Sequence, residues 1–591
     1  MAQRGTTKVH GQWDDLLLGA MAAFYGALLA AAAWASAQIG ARIDGTPPPP
    51  SNPVEMAMQF ASGDRPWTAA MTATLIGIAV VLLVITFLVV AVSGRKKKSQ
   101  ARPDRAKRHM AGGRELQGWT KRGAAAKARR LAPQVEAPGL PFGQAVRNGA
   151  MLYSSWEDML VLVAGPRTQK STAFAIPGVL SAPGAALVTS NKRDVVDATR
   201  GPRSEVGAVW VFDPQRVANE PATWWWNPLT YIAAPDPETG KPVKDPATGF
   251  VVADEARAEK LAGQFVASTR PPGARTDAYF DGEAENLIGL LLLAAAVGDK
   301  PLTHIYRWLT KPTEEEPIEL LADNGFELQE QALYALSHLP DKQREGVYGT
   351  ARSLMGFLRH RQLMEWVTPA SEERPQFDPV AFARSKQTLY PLSREGAGSA
   401  GPLVAALTVA VIDALEEYAT ASPDGRLPVP FVGILDEAAN ICRFRNLDSY
   451  YSHFGSRGIV LLTILQNWAQ GEEVWGKEGM EKLWSAANVK IYGGGVDDDR
   501  FLRRLSDLIG TYERIESTVS TGERQRTRSR SVQEKTILTM SELRELPAGR
   551  AVAFCSGTPA VLINPRGWWD RPEMAQDVRD SLAAYAPQEV A

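Results

Sequence analysis

MLVLVAGPRTQKST, residues 159–172, combines an apolar strand, a tight turn and the first residues of a helix. This layout is typical of a phosphate-binding loop, because backbone N–H groups of the turn and of the helix N-terminus point at the anion. The stretch therefore predicts a nucleotide-binding α/β fold. The residues expected to surround the phosphates are Gly165, Pro166, Arg167, Thr168, Gln169, Lys170, Ser171 and Thr172.

Two positions of this loop depart from the usual pattern G-x-x-x-x-G-K-[ST]. Ala164 replaces the first glycine, which is a mild change because a small residue still fits the strand exit and Gly165 follows it. Gln169 replaces the second glycine, and a Cβ atom there predicts a steric conflict or an unfavourable φ angle. We expect Gln169 to affect the rate of hydrolysis more than the fold.

A second motif, FVGILDE at residues 431–437, is an apolar strand that ends in two acids. In nucleotide hydrolases an aspartate at this place orients hydrated Mg²⁺, and a glutamate polarises the attacking water. Asp436 and Glu437 are therefore candidates for metal support and catalysis. Two acids at an ordinary helix N-terminus are the alternative, but the lysine-bearing loop at the end of another strand favours a nucleotide site.

Polar residues also flank the apolar run Ile459–Ile464. Gln466 follows this run and is predicted to sense the γ-phosphate, although a helix-capping or solvent-facing role is an alternative. Arg457 precedes the run, and in a ring of identical subunits such an arginine can reach the nucleotide of the neighbour. A surface salt bridge is the alternative for Arg457.

The fold class follows from the alternation of short apolar runs with helical periods from Met159 onward. This alternation predicts an α/β domain with a largely parallel sheet. Such sheets bind ligands beyond the carboxyl ends of their strands. The predicted strands are Leu160–Val163, Ala185–Thr189, Val209–Phe212, Phe431–Leu435, Ile459–Ile464, Val489–Tyr492, Ala551–Phe554 and Val561–Asn564.

Two long apolar segments, residues 16–39 and 69–92, predict transmembrane helices. At about 1.5 Å per residue, each reaches across a hydrocarbon core of about 30 Å. A cleaved signal peptide is the alternative for the first segment, but its apolar run is too long and two acids precede it. Basic residues 95–98 follow the second segment, so both chain ends are expected in the cytoplasm.

Composition excludes some classes of site. Of the 591 residues, 22% are charged and 45% are apolar, as in an ordinary globular protein. The length predicts about three domains. Cys442 and Cys555 are the two cysteines, and their wide separation argues against a zinc site or a disulfide framework.

Two basic regions are candidate contacts for phosphates. In residues 95–130, a flank that orients the membrane span and touches anionic lipid explains the first cluster, whereas DNA or a partner protein is a hypothesis for the remainder. In residues 513–535, strand alternation would put four arginines on one face, although a solvated hairpin is the favoured alternative. These four are Arg524, Arg526, Arg528 and Arg530.

Together the motifs resemble the type IV secretion coupling proteins, and more narrowly the actinobacterial conjugative DNA-transfer members of the TraG/TraD class. The resemblance extends from the two apolar segments to the last predicted strands. It rests on GPRTQKST at 165–172, LVTSNKRDVVDATR at 187–200, ILDEAANI at 434–441, SRGIVLLTILQNWAQ at 456–470, ANVKIYGGG at 487–495 and SELRELPAGRA at 541–551.

This resemblance implies a RecA-like P-loop NTPase core with an inserted all-α domain, preceded by two transmembrane helices. The expected divisions are a cytoplasmic N-terminus at 1–15, transmembrane helices at 16–39 and 69–92, an extracytoplasmic loop at 40–68, a basic cytoplasmic linker at 93–137, the core at 138–230 and 385–591, and the helical insertion at 231–384. ATP and Mg²⁺ are the implied cofactors. The implied roles are phosphate contact for Lys170, Mg²⁺ ligation for Ser171, metal support for Asp436, base catalysis for Glu437, a trans-acting finger for Arg457 and a sensor for Gln466.

By the same resemblance, the protein is a homo-hexameric ATPase of the plasma membrane. It would receive a relaxase-bound single DNA strand or protein substrates and pass them to the components of a type IV secretion channel. Two other functions remain open. One is an FtsK-like translocase of double-stranded DNA, against which the long helical insertion argues; the other is a membrane docking scaffold that does not hydrolyse nucleotide because of Gln169.

Overall fold

The computed structural model describes residues 27, 30–93, 102–270, 277–369, 373–394, 396, 400–521 and 526–587. The chain divides into two compact units, Met1–Gln100 and Ala101–Ala591. Helices in the first unit cover Pro53–Ala61 and Ala69–Ser93, and residues 30–43 are also helical. Within the residues just given, no helix combines the length and the apolar character needed to cross a membrane. Much of the first predicted span, 16–39, lies outside the described residues, so the two-span prediction stays a prediction.

The second unit is built on an eleven-stranded sheet, with a separate two-stranded sheet beside it. The strands in chain order are β1 Pro141–Ala145, β2 Met151–Tyr153, β3 Leu160–Val163, β4 Ala186–Thr189, β5 Val209–Phe212, β6 Thr388–Pro391, β7 Phe431–Leu435, β8 Ile459–Leu465, β9 Val489–Tyr492, β10 Thr511–Thr521, β11 Arg526–Thr536, β12 Ala551–Cys555 and β13 Val561–Asn564. Across the large sheet their order is β2-β1-β13-β12-β9-β3-β8-β7-β4-β6-β5, and β10 pairs with β11.

The large sheet is parallel from β9 to β5, and β12, β13, β1 and β2 extend it with antiparallel pairs. Every residue of β3, β4, β7 and β8 is buried. Along β3, Val161 and Val163 belong to one hydrophobic core, while Leu160 and Leu162 belong to a second core on the opposite face. Burial on both faces explains why these strands are continuous apolar runs without a polar alternation.

All eight predicted strands are present, with ends that differ by at most one residue from the prediction. The predicted α/β class and the largely parallel sheet are thus confirmed. Sequence reasoning missed β1, β2 and β6, which are three to five residues long. β2 has only three residues, and Thr388 and Pro391 leave β6 without a continuous apolar run. Pro141 and Gly143 weaken the signal of β1.

Helices cover both faces of the large sheet and fill the interval between β5 and β6. In the second unit the α-helices are Lys121–Leu131, Ile176–Leu180, Asp194–Ser204, Glu255–Thr269, Ala278–Val297, Thr303–Leu309, Glu316–Asp323, Glu327–Ser337, Asp341–Leu354, Arg361–Met364, Pro379–Ala383, Gly401–Ala421, Ala438–Ile441, Leu447–Tyr450, Phe454–Arg457, Trp468–Ala486, Asp499–Ile509, Met540–Arg544 and Pro572–Tyr585.

A helical segment therefore separates β5 from β6, which are neighbours in the sheet. Its longest helix, Ala278–Val297, is buried at every position from Leu287 to Val297 and packs against Glu255–Thr269. The helical character expected for this part of the chain is observed. The domain limits 231–384 stay a prediction, because residues 101–591 form one compact unit.

Candidate nucleotide site

Three adjacent strands bring most of the candidate residues to one edge of the sheet. β8 lies between β3 and β7, and all three are parallel. The phosphate loop follows β3, Asp436 and Glu437 follow β7, and Gln466 follows β8. Because parallel strands end at the same edge of a sheet, these three groups converge there.

The phosphate loop has a backbone shape that normally requires glycine. Arg167 and Gln169 have φ angles of 61° and 66°, in the left-handed region that side chains disfavour. The unfavourable φ predicted for Gln169 is thus confirmed. A non-glycine residue held in this region costs about 1–3 kcal/mol and persists only where the surrounding structure imposes the conformation.

The end of β9 holds this loop in place. The N–H of Gly165 donates to the carbonyl of Gly494 over 2.9 Å, and the Thr168 hydroxyl donates to the carbonyl of Gly165 over 2.7 Å. A Cβ atom at position 165 would lie 1.9 Å from the carbonyl oxygen of Gly495. Only glycine therefore fits where the loop and the β9 end approach each other.

The helix after the loop begins with a wide turn. Lys170 already has helical φ and ψ angles of −51° and −58°, Ser171–Ala175 form a π-helical turn, and Ile176–Leu180 continue as an α-helix. The N–H of Ala173 donates to the carbonyl of Gln169 over 2.9 Å. The N–H groups before Ala173 belong to the helix N-terminus, where a phosphate would accept hydrogen bonds.

Lys170, Glu437 and Gln466 form a connected polar group above the strand ends. The Lys170 Nζ atom donates to the carbonyl of Ala164 over 3.1 Å and lies 3.6 Å from Glu437 Oε1. The Gln466 side-chain amide donates to Glu437 Oε2 over 2.6 Å. The glutamate thus holds both the lysine of the loop and the amide after β8, so three of the candidate residues are in direct contact.

Glu437 itself has a φ of 53°, also in the left-handed region. This conformation turns the chain from β7 into the short helix Ala438–Ile441. Its side chain is only 9% exposed, and that of Lys170 is 10% exposed. A strained backbone at a charged residue in a nearly dry site is more common at functional sites than elsewhere.

Asp436 is buried, with 4% of its surface exposed. Burial and the charges of Glu437 and Asp194 raise the pKa of Asp436 to about 7, against the opposing charges of Lys170 and Lys192. Its Oδ1 atom has no hydrogen-bond partner among the residues that the structure describes. A buried carboxylate oxygen without a partner fits a position beside a cation, since a cation would supply the missing interaction.

These residues fit Mg²⁺ in the manner of a nucleotide-dependent site. Within the described residues, no group of three or more His, Cys, Asp or Glu side chains could hold a metal by itself. Mg²⁺ commonly takes one or two protein oxygens and completes its shell with water and substrate phosphates. Asp436 and the Ser171 hydroxyl at the helix start are the residues that would hold the ion.

Arg457 lies elsewhere in the subunit. It ends the short helix Phe454–Arg457 before β8, so it lies at the amino end of that strand, whereas Gln466 follows its carboxyl end. Its guanidinium is 3.4 Å from Glu416 Oε1 and donates to the Thr420 hydroxyl over 2.6 Å. These contacts are those of the salt-bridge alternative. The trans-acting role, which needs a neighbouring subunit, stays a prediction.

Comparison with known proteins shows what this part of the chain and this fold are similar to. A sequence profile described as the TraM recognition site of TraD and TraG matches residues 430–548, which include β7 and β8. The unbound monoclinic form of the bacterial conjugative coupling protein TrwBdeltaN70 is 14% identical, with a TM-score of 0.52 over 74% of this chain and 90% of that chain. Its trigonal form in complex with sulphate is also 14% identical, with a TM-score of 0.51 over 74% of this chain and 92% of that chain. A search of curated proteins found no significant match.

The profile match covers β7 and the two acids that follow it. It also covers β8, which precedes Gln466, and the helices between β7 and β8. Within residues 430–548, the chain matches the family model of TraD and TraG, which are coupling proteins of the class that the motifs resemble. The resemblance predicted from the motifs is therefore confirmed. The two solved structures show that the chain shares the α/β fold of TrwBdeltaN70.

Sequence reasoning assigned no role to two groups of residues beside the candidate site. Lys192 and Asp194 follow β4, the neighbour of β7, and their charges act on Asp436. Gly494 and Gly495 follow β9 and hold the phosphate loop. Both groups lie in stretches that carried the family resemblance, but only the strand order shows that they adjoin the site.

Proposed function

We propose that this protein is a coupling ATPase that drives DNA transfer in conjugation. The observation that supports the proposal is the contact of Lys170, Glu437 and Gln466 beside Asp436, whose buried Oδ1 atom has no partner within the described residues. A lysine at a phosphate loop, a metal-supporting acid and a base acid are the parts that phosphoryl transfer requires.

Bound ATP would supply the transferable phosphoryl group, and Mg²⁺ would supply positive charge to its phosphate oxygens. Lys170 would exchange its contacts with Ala164 and Glu437 for phosphate oxygens. Asp436 and Ser171 would hold the metal ion. Glu437, released from the lysine, would orient a water molecule and accept its proton.

Gln466 would act at the same place in two ways. Its amide donates to Glu437 Oε2, which holds the carboxylate in one orientation and leaves Oε1 for the lysine or for a water molecule. Because Gln466 follows the strand between the phosphate loop and the acids, it would also contact the γ-phosphate. A sensor at this position links the presence of that phosphate to the orientation of the base.

Anchoring, assembly and partners are part of the same proposal. The apolar segments 16–39 and 69–92 would anchor the protein in the plasma membrane with both ends in the cytoplasm. A homo-hexamer would place Arg457 of one subunit at the nucleotide of the next. Its substrates would be a relaxase-bound single DNA strand or secreted proteins, which it would pass to a type IV secretion channel.

Hydrolysis of ATP by the detergent-solubilised protein, with and without single-stranded DNA, tests this proposal. We expect hydrolysis that DNA stimulates and that Lys170→Ala and Glu437→Gln abolish. Equal background rates of hydrolysis in the wild type and both variants would reject the proposed ATPase. The alternative of a membrane docking scaffold that does not hydrolyse nucleotide would then be favoured. Stimulation by double-stranded DNA alone would instead favour the FtsK-like translocase.

Gln169→Gly is expected to raise the affinity for Mg²⁺-ATP and the hydrolysis rate by roughly fivefold, because it removes the Cβ atom beside the position expected for the phosphates. The left-handed strain of about 1 kcal/mol is already present without nucleotide, so its relief stabilises the fold and does not raise the affinity. Equilibrium binding of a fluorescent ATP analogue and steady-state phosphate release measure the two effects. Arg167→Gly is the matched control, since it relieves strain at the other left-handed residue of the loop. An equal gain from Gln169→Ala, which keeps the Cβ atom, would contradict this explanation.

Binding of Mg²⁺-nucleotide is expected to weaken about tenfold between pH 8 and pH 6. The pKa of Asp436 is raised to about 7, so a proton competes with the metal below that pH. The same shift means that the nucleotide-free protein loses stability as pH rises from about 4 to 7, because the folded state binds the extra proton there. Titration with Mg²⁺-ADP at several pH values measures the change in affinity. Asp436→Asn should flatten the profile, and an unchanged profile in that variant would assign the titration to another group.

A further inference from the structure

The two-stranded sheet, β10 with β11, is a long ribbon that the nucleotide site does not use. Its strands pair antiparallel without a break from Thr511 opposite Thr536 to Thr521 opposite Arg526. Eleven residue pairs at about 3.3 Å each give a length of about 36 Å. The ribbon forms a sheet of its own and does not extend the eleven-stranded sheet.

The root of this ribbon is fixed to the folded unit. The N–H of Ile537 donates to the carbonyl of Gly510 over 3.0 Å, closing the ribbon just before its first pair. The ring of Tyr512 stacks on that of His109, with centroids 3.7 Å apart. The ribbon therefore leaves the unit at a defined place, and its two faces have defined directions relative to its root.

Near the root, both faces of the ribbon are open to solvent. On one face Ile515 and Val532 stand opposite each other and are 65% and 63% exposed. On the other face the pair Arg514 and Gln533 is also exposed. The described parts of the chain thus leave both faces of this half uncovered. A two-stranded ribbon that gains nothing from burial is only marginally stable by itself.

The register separates the charges along this ribbon. Successive pairs on the face of Ile515 are Glu513–Glu534, Ile515–Val532, Ser517–Arg530, Val519–Arg528 and Thr521–Arg526. The other face has hydroxyl residues at the corresponding positions, in the pairs Thr518–Ser529 and Ser520–Thr527. Acids therefore lie at the root, and three arginines follow one another in the distal half of the same face.

The geometry points to this face, where the register sets Arg526, Arg528 and Arg530 in one row, as a binding surface for the phosphate backbone of single-stranded DNA. Neighbouring positions in the row are about 6.7 Å apart, because they are two residues apart along one strand. Arginines at alternate positions of one strand match the regular spacing of charges on a linear polyanion. The inference rests on the proposed function, since the ligand would be the DNA that the protein transfers.

A nucleic acid fits this surface better than a protein partner does. Protein interfaces depend on aromatic and large apolar anchors in their centres, whereas residues 517–521 and 526–530 contain only Ser, Thr, Val and Arg. Hydroxyl and guanidinium groups are the usual donors to phosphate oxygens, and such contacts carry no sequence preference. The acidic pair at the root would confine the DNA to the distal half.

The test compares two variants with the wild-type full-length protein in detergent. The first removes the arginines and the second moves them to the opposite face without changing composition or net charge. The first variant is Arg526→Ser, Arg528→Ser and Arg530→Ser; the second exchanges Arg526→Thr with Thr527→Arg, Arg528→Ser with Ser529→Arg, and Arg530→Ser with Ser531→Arg.

Fluorescence anisotropy with a labelled single strand of about 30 nucleotides measures affinity across a range of salt concentrations. We expect the first variant to bind DNA about 100-fold more weakly at 0.1 M salt. The slope of the logarithm of the binding constant against the logarithm of the salt concentration should be smaller by about 2, because three phosphate contacts are lost. The exchanged variant should bind nearly as weakly. Thermal unfolding and ATP hydrolysis without DNA should match the wild type in both variants, which excludes misfolding.

Each other outcome has a definite meaning. If the exchanged variant binds like the wild type, net charge suffices and the assignment to one face is wrong. If both variants bind DNA normally, the ribbon serves another partner, such as a protein, and the inference fails while the proposed function stands. If the wild type neither binds DNA nor hydrolyses ATP faster with it, the proposed function fails and this inference fails with it.

Discussion

Lys170→Ala is expected to reduce ATP hydrolysis by about 100- to 1,000-fold, because it removes the one side-chain cation that directly adjoins Glu437 among the described residues. In the nucleotide-free protein this ammonium group lies between the Ala164 carbonyl and the Glu437 carboxylate. The methyl side chain of alanine carries no positive charge that could stabilise the phosphates. Phosphate release at saturating Mg²⁺-ATP measures the effect on the hydrolysis rate. Equilibrium nucleotide binding measures the effect on affinity separately.

Lys192→Ala is the matched control for this experiment. Lys192 also acts electrostatically on Asp436, but it follows β4 and lies outside the phosphate loop. Its removal should lower hydrolysis by less than about tenfold, since a charge that makes no direct phosphate contact contributes less. A loss equal to that of Lys170→Ala would mean that general positive charge, and not the loop lysine, supports the reaction.

Glu437→Gln is expected to slow hydrolysis by about 100- to 10,000-fold while nucleotide binding stays intact or tightens. The amide keeps the size of the side chain and can still hydrogen-bond Gln466, but it cannot accept a proton from water. Loss of the carboxylate also frees Lys170 from its ion pair, which favours contact with phosphates. Single-turnover hydrolysis and equilibrium nucleotide binding, measured on the same preparation, separate the two effects.

Glu472→Gln provides a control of the same chemistry on the helix that follows β8. Glu472 accepts a hydrogen bond from the Trp468 indole over 2.9 Å and pairs with Arg500 on the protein surface. Hydrolysis should remain within about twofold of the wild type, because surface ion pairs contribute little. If Glu437→Gln retained more than a tenth of the wild-type rate, the base would have to be another residue.

Much of the fold was predictable because fully buried parallel strands leave a strong signal. Leu160–Val163 and Phe431–Leu435 are buried at every position, and such runs stand out from their polar surroundings. The short strand Thr388–Pro391 has no such contrast. It enters the sheet between β4 and β5 only because the helical segment returns the chain to that place.

The candidate site was predictable in its residue types and only partly in its geometry. The loop, the two acids and Gln466 could be identified because each follows an apolar strand. The contact between Gln466 and Glu437 depends on β8 lying between β3 and β7, which no local pattern encodes. For the same reason, the sequence could not show that Arg457 lies at the opposite end of β8 from Gln466. Its trans-acting role at a neighbouring subunit stays a prediction.

By itself, the sequence determined the candidate residues of the nucleotide site and the strands that position them, because burial and phosphate binding impose local patterns on the chain. The tertiary structure decided which of those residues meet. It brought Lys170 to Glu437, left the Oδ1 atom of Asp436 without a partner among the described residues and held Gln169 in a conformation suited to glycine. These features depend on strand order and on contacts between distant segments, and sequence neighbours do not specify them.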